Sequence, residues 1–490
     1  MSASRNAEIA SATFAFWRRV VVNAAILLVT VGYVALLARY PRLFTRWPFA
    51  MHFYYNDKTV LANGFGALLP LALSVILLVF VMWRFWGRPR MFVVALCGCA
   101  MALQLSWSLL EGRAAERISS TLLSKHYGHS EFVALAHDDT RLVDVARQYE
   151  TLVANDPRFV YARSKPPGQL LFYMVSVRLF RALGLERVSA HVVEPLGFFS
   201  DSAYAAFGPF ATLLFVTLSC LPVFLLPRLG AVFAGPTTGQ HLCLAFVLMP
   251  ATNLITMHMD QVLYPLLLAG VLYTVGLGLQ QHPGYALAAA LFTYVAIYVS
   301  FSLVFLLPTI GLLLLGHATS GDHARRTVIR VSAIFAVGVA ASAALFYLVL
   351  NFQPVSAYTR ALAHHRAWMD IDGIVGVRGT IHNFYEFSVW VGIPGVLLYV
   401  ANWYRVAAAP RAEFQSLSIL VLVYPFLLLG VSVLGASEHE IGRLWLPLAT
   451  PALLPVAREL GLLHGDRRPW LFVTSSLIMI AAMKNYQDFQ

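Results

Sequence analysis

The chain has 490 residues, of which 59% are hydrophobic and only 12% charged, with a formal net charge of +11 and a mean hydropathy of +0.69. That composition excludes an ordinary soluble domain. Apolar runs close to the roughly 20 residues that cross a hydrocarbon core recur from end to end, and none shows the roughly ten-residue alternation of a β-barrel strand. The basic excess does not indicate nucleic-acid binding, because the arginines gather in short clusters beside the apolar runs, as residues that set membrane orientation do. Cys97, Cys99, Cys220 and Cys243 fall in or beside apolar runs and form no disulfide framework or zinc pattern.

In chain order the first 19 residues are polar and basic, with no cleavable signal pattern, so 20–38 is expected to be a retained anchor. Further spans are expected at 65–83, 92–110, 204–227, 240–257, 261–280, 284–300, 302–316, 331–351, 384–403, 415–434, 443–459 and 470–484. The expected fold class is therefore all-α: a polytopic helical membrane protein with about thirteen transmembrane helices and a long outer loop carrying juxtamembrane helices. The segment 168–184 is short and carries Arg178 and Arg181, each costing about 2.5–3.5 kcal/mol at a helix centre. It reads as a juxtamembrane or half-inserted helix. Left out of the crossings, it lets Arg18/Arg19, Arg84/Arg88/Arg90, Arg228, Arg325/Arg326/Arg330, Arg405/Arg411 and Arg458/Arg467/Arg468 all fall in the cytoplasm. The same count places 111–167, 257–260, 352–383 and 437–442 together on the outer face.

The polar segment 111–167 holds two motifs. His137-Asp138-Asp139 leads into an amphipathic stretch beginning Thr140-Arg141-Leu142, where the carboxylates suit acid/base chemistry and equally suit a solvated helix N-terminus. Ser164-Lys165-Pro166-Pro167-Gly168 brings the chain in extended and starts a helix abruptly, leaving free amides beside one of only four lysines. That is a phosphate-binding arrangement, or else a plain loop-to-helix turn with a snorkelling lysine. His258-Met259-Asp260 sits between two apolar runs, where a carboxylate needs a cavity or a partner. His382-Asn383 borders another outer loop. Glu438 and Arg443 flank Ile441-Gly442 at the mouth of a late span, where a guanidinium suits phosphate or a carboxylate. No P-loop, no GxGxxG, no HExxH and no GxSxG occurs, and no internal repeat is apparent.

The order of these features resembles the GT-C superfamily of integral-membrane glycosyltransferases, in particular the group that includes protein mannosyltransferases and aminoarabinose transferases. Their catalytic loop often runs from an acidic pair through a short amphipathic helix ending in Ala-Arg to a Lys-Pro-Pro or His-Pro-Pro turn. Here the matching residues are Asp138-Asp139, Val145-Ala146-Arg147 and Lys165-Pro166-Pro167-Gly168. Further matches are Asp260, Ser300-Phe301, Asn383-Phe384-Tyr385 and Gly442-Arg443-Leu444-Trp445, so the likeness covers roughly residues 92–460, preceded by two N-terminal spans in 1–91 and followed by a last span and tail in 461–490. The chain departs from the family pattern in having Asp139 where Glu is frequent, two spans before the catalytic loop, and no large outer domain after the last span.

The resemblance implies a GT-C-like fold and transfer of a sugar from a polyprenyl-phosphate donor to a lipid, glycan or protein hydroxyl, on the outer face of the cell membrane and with inversion. In that reading Asp138 is the general base and Asp139 its catalytic neighbour. Lys165 binds the donor phosphate with Arg443, while Asp260, His382, Asn383 and Glu438 contact substrate. The resemblance fixes no cofactor, and Asp139 and Asp260 are suited either to orient the acceptor or to hold a divalent metal ion if this member uses one. The membrane lipids are the other partner, and no nucleic acid is expected. The rival is a secondary transporter or lipid flippase, with Asp260, Arg443 and His382 lining a pathway. A structural subunit of an envelope-polymer machine is the third reading.

Overall fold

The computed structural model describes residues 2–40, 54–55, 65–110, 129–138, 140–155, 159–187, 206–254, 261–369, 377–410, 416–433 and 445–488. Almost all of this is helix, and the only sheet among the described residues is a two-residue antiparallel pair, Tyr54–Tyr55 with Gln487–Asp488. In chain order the helices are α1 (Ser2–Arg39), α2 (Phe65–Phe85), α3 (Pro89–Leu109), α4 (His129–Ala136), α5 (Leu142–Asn155), α6 (Pro167–Ala182) and α7 (Phe207–Cys220). Then come α8 (Leu226–Ala234), α9 (Thr238–Val247), α10 (Pro250–Leu254), α11 (Tyr264–Gln280), α12 (Tyr285–Val299), α13 (Leu306–Ala318) and α14 (Asp322–Leu350). The last are α15 (Pro354–Met369), α16 (Val377–Val391), α17 (Ile393–Ala408), α18 (Ser416–Val433), α19 (Leu446–His464) and α20 (Trp470–Tyr486).

Eight helices among the described residues are long and apolar enough to cross a membrane, or nine if the bent pair α16–α17 is one span. This is a polytopic helical membrane protein. Every apolar segment expected from the sequence is helical, but several are not single full-length spans, for local chemical reasons. The 240–257 segment breaks at Leu248-Met249 before Pro250, where Asn253 Nδ2 satisfies the freed carbonyls of Val247 and Met249 at 2.7 and 3.1 Å. The 384–403 segment bends by 105° at Gly392, whose φ of +94° and following Pro394 end one helix and begin the next. Helices α11, α12 and α20 are apolar but shorter.

Two ends of the bundle can be recognised from their contacts. At the basic end, Glu459 of α19 is buried and accepts from Arg18 of α1, from Arg405 of α17 at 3.3 Å and from Asn402 at 3.3 Å. Nearby, Arg468 donates to the carbonyls of Met82 and Trp83, Trp86 to that of Asp466, and Gln240 to that of Trp86. Helix α14 fixes the opposite end. Its 29 residues rise about 43 Å, more than the hydrocarbon thickness, and the carbonyl of Val349 near its C-terminus is bound by Arg147 of α5 at 2.7 Å.

That second end, the loop end, carries an extra layer made of α4, α5, α6 and α15. Helix α6 covers 168–184 and belongs to this layer: it packs on α4 and α5, and Arg178 and Arg181 at its far end donate to the carbonyls of Thr140 and His137. Both arginines are thus hydrogen-bonded within the layer. An aromatic core of Phe132, Tyr173, Phe180, Phe207 and Phe215 joins the layer to α7, whereas the principal core runs through the remaining helices and takes in Ile26, Leu78 and Met82 of the N-terminal pair.

Candidate functional site

The Lys165 turn is the most heavily braced segment of the loop end. Glu131, in the first turn of α4, accepts three backbone amides with its two oxygens, from Val160 and Tyr161 at 3.1 Å and from Ala162 at 3.0 Å. Carboxylates bonded to several amides are strong anchors. From the other side the buried phenol of Tyr149 in α5 donates to the carbonyls of Ala162 at 2.9 Å and Lys165 at 3.2 Å. Arg163 reaches back to the carbonyls of Val153 and Ala154, and His364 of α15 meets the carbonyl of Val160 at 2.9 Å. The half-buried Lys165 ammonium lies over the Tyr161 ring, 4.6 Å from its centre.

Pro166 is extended and Pro167 opens α6, as the Pro-Pro-Gly pattern requires. Gly168 lies directly against the backbone carbonyl of Tyr298 at the end of α12, so close that any Cβ would overlap that oxygen.

Around the turn are carboxylates of two kinds. Asp138 is exposed, just beyond α4, and its loop is held by Arg181 on the carbonyl of His137 at 3.0 Å and Arg178 on that of Thr140 at 2.7 Å. His137 itself bonds the carbonyl of Val133 and meets Phe207 edge-on, and burial holds its imidazole below the usual range. Because α4 rises about 1.5 Å per residue, Asp138 stands on the order of 10 Å along its axis from Glu131, beside the far end of α6 and not at the end that Lys165 precedes. Glu150, beside Tyr149, pairs with Arg360 of α15 at 2.8 Å. Partial burial raises its carboxyl above the usual range, against the lowering effect of Arg360. The motifs legible in sequence did not include Glu131, Tyr149 or Glu150. Glu131 and Tyr149 act through contacts with residues 13 to 31 positions away in the chain, which no local pattern records.

The other expected site residues fall elsewhere. His382 and Asn383 are buried on α16, which packs on α10, α17, α18 and α19 and not in the layer that forms the Lys165 turn. There His382 Nε2 lies 3.6 Å from Glu386, Trp390 donates to Glu386 at 3.3 Å, and Asn383 donates to Ser432 at 2.9 Å. Asp139, Asp260, Glu438 and Arg443 lie outside the described residues. So do both carboxylates suited to a divalent ion, and among the described residues no three His, Cys, Asp or Glu side chains gather as metal ligands.

Set against protein-family models, curated proteins and solved structures, the chain matches none of them.

Proposed function

We propose that this chain is a GT-C-type membrane glycosyltransferase, with about thirteen spans and its loop end outside the cell membrane, that moves a sugar from a polyprenyl-phosphate carrier to an acceptor hydroxyl. The observation that supports this best is the bracing of the Lys165 turn. Glu131, Tyr149, Arg163 and His364 together fix the backbone leading up to one lysine and the lysine's own carbonyl, an expenditure of hydrogen bonds suited to holding a cation in a set position for an anionic ligand.

The proposed reaction needs a base and a cation on opposite sides of one carbon. Asp138 takes the proton of the acceptor hydroxyl, whose oxygen attacks the anomeric carbon. The bond from that carbon to the phosphate oxygen breaks, and its electron pair leaves with the polyprenyl phosphate, which Lys165 holds with Arg443. A base and a phosphate ligand in line bracket the acceptor oxygen, the anomeric carbon and the leaving oxygen, so they stand about 10 Å apart. Direct displacement inverts the anomeric centre, and a positioned base is worth about 10²–10⁴ in rate. Asp139, Asp260, His382, Asn383 and Glu438 are proposed to contact the acceptor or the sugar.

The test is transfer of label from polyprenyl-phosphate sugars to endogenous acceptors in membranes holding equal amounts of wild type or Asp138→Asn. Loss of label in the variant alone supports the reading, whereas full activity in the variant removes Asp138 from the base role. A second reading, secondary transport, is favoured by one observation: the helix break at Gly392 sits against Pro250, at the break between α9 and α10. Paired discontinuous helices are a feature of transporter binding sites. Absence of transfer from every donor by the wild type would favour it.

A further inference from the structure

The basic end of the bundle holds more positive charge than it neutralises. Glu459 of α19 is fully buried, and two guanidiniums from different helices converge on it. One is Arg18 of α1, and the other is Arg405 of α17, which donates through Nε at 3.3 Å and Nη2 at 3.5 Å. Their side chains are only 19% and 33% exposed. Two cations on one carboxylate leave one positive charge over, in a place where water screens it poorly. The neighbouring groups do not supply an anion. Asn402, which donates to Glu459 at 3.3 Å, is neutral, and Arg458 precedes Glu459 in the chain. Arg19 has a buried Nε with no hydrogen-bond partner and lies within electrostatic reach of His464. Among the described residues no second carboxylate pairs with Arg18, Arg19 or Arg405.

The two arginines also have donors to spare. A guanidinium carries five N–H donors in a planar fork. Arg18 spends Nη2 on Glu459 and Arg405 spends Nε and Nη2, and neither makes another hydrogen bond among the described residues. Each directly follows an exposed aromatic residue in its helix, Trp17 before Arg18 and Tyr404 before Arg405. Phe16 and Trp17 meet edge to face at 5.7 Å, as do Trp403 and Tyr404 at 5.4 Å, and α1 packs on α17. Exposed Trp and Tyr beside basic residues, at the start of the α1 span and the end of α17, mark the level of lipid headgroups. The surplus charge therefore lies where a phospholipid presents its phosphate.

We infer that the basic end binds the headgroup phosphate of an anionic phospholipid between α1 and α17, with Arg18 and Arg405 as its ligands. The inference depends on neither the glycosyltransferase nor the transport reading. Guanidinium forks match phosphate oxygens, and basic pockets between helices at the cytoplasmic side suit such headgroups. A headgroup of net charge −1, as in phosphatidylglycerol, balances the one surplus positive charge. A zwitterionic headgroup brings its own cation into a site already crowded with arginines. By bridging Arg18 and Arg405 the lipid fastens α1, most of whose surface is exposed, to the rest of the bundle.

The experiment uses the full chain in neutral detergent. Fluorescence anisotropy follows binding of acyl-labelled phosphatidylglycerol and of acyl-labelled phosphatidylcholine with the same chains, and inorganic phosphate is added as a competitor. The wild type is expected to bind phosphatidylglycerol at least about five-fold more tightly than phosphatidylcholine, the effect of one arginine near a membrane surface. Arg405→Gln leaves Glu459 paired with Arg18 but removes the surplus charge, so the preference is expected to disappear. Arg325→Gln, which alters an exposed arginine at the same end, is expected to keep it. Glu459→Gln preserves the side-chain shape and raises the surplus, so it is expected to tighten phosphatidylglycerol binding, and it decides the matter if Arg405→Gln does not fold. Four results each overturn the inference: equal binding of the two lipids by the wild type, a preference that survives in Arg405→Gln, its loss in Arg325→Gln, or weaker phosphatidylglycerol binding by Glu459→Gln. Displacement of the lipid by inorganic phosphate at matched concentration overturns the assignment to a phospholipid and leaves a site for a free anion.

Discussion

At the scale of single residues, the loop end shows how one carboxylate can be consumed by structure while its neighbour stays chemically available. Glu131 has both oxygens committed to backbone amides, so its charge is spent on shaping the chain before Lys165. Glu150, by contrast, has one partner, Arg360, and a carboxyl raised by burial. A raised carboxyl is more readily protonated in the folded state than in the unfolded one, so between its ordinary value and its folded value the native state binds more protons. Stability on account of this group is therefore greatest at low pH and declines as pH rises upward from about 4.5. Glu150→Gln, which cannot ionise, is expected to gain in melting temperature relative to wild type as pH is raised from about 4 to about 7. A constant difference across that range would show that the carboxyl is not strained by its surroundings.

At the scale of helices, hydropathy located the apolar segments correctly because the signal averages over many residues and does not depend on any one contact. The arginines of 168–184 were equally legible as charges that need partners in an apolar setting, and the structure binds them to the His137 and Thr140 carbonyls. What averaging hides is a break inside an apolar run. Gly392-Ile393-Pro394 and Met249-Pro250 are the local signals for the two breaks, but within runs this apolar they were absorbed into single spans. Close helix approaches are hidden for a different reason, since a glycine says only that room exists and not what fills it. Gly168 is the test of this at the site. Because a Cβ there would overlap the Tyr298 carbonyl, a backbone atom that cannot rotate away, Gly168→Ala is expected to cost about 3 kcal/mol. Donor binding should fall with it as α6 and the Lys165 turn are pushed off α12. A variant that melts like wild type would mean that α6 does not dock on α12 as described, and Gly98→Ala, where a Cβ meets nothing within 4 Å, serves as the neutral control.

At the scale of the molecule, the argument joins two independent orderings of the same residues. Counting arginine clusters places 18–19, 84–90, 228, 325–330, 405–411 and 458–468 on one side, and the contacts around Glu459, Trp86 and Arg468 bring four of these six segments to one end of the bundle. The 325–330 cluster is tied in through helix α14, which begins at Asp322 and ends beside Arg147 in the layer at the loop end. Grouping of charges at an end was legible because it depends on sequence position alone. The bonds that hold the end together, such as Arg18 with Glu459 across 441 positions, were not. The side each end faces follows if positive charge is retained in the cytoplasm, and it can be measured. The four native cysteines are buried, which keeps background labelling low. Val160 is exposed at the loop end and Asp322 at the start of α14. A membrane-impermeant maleimide is expected to label Val160→Cys in intact cells and Asp322→Cys only after permeabilisation. The reverse pattern would put the Lys165 turn in the cytoplasm and end the proposal of an outer-face transferase. Labelling of both from one side would mean that α14 does not cross, and would remove the basis for recognising two ends at all.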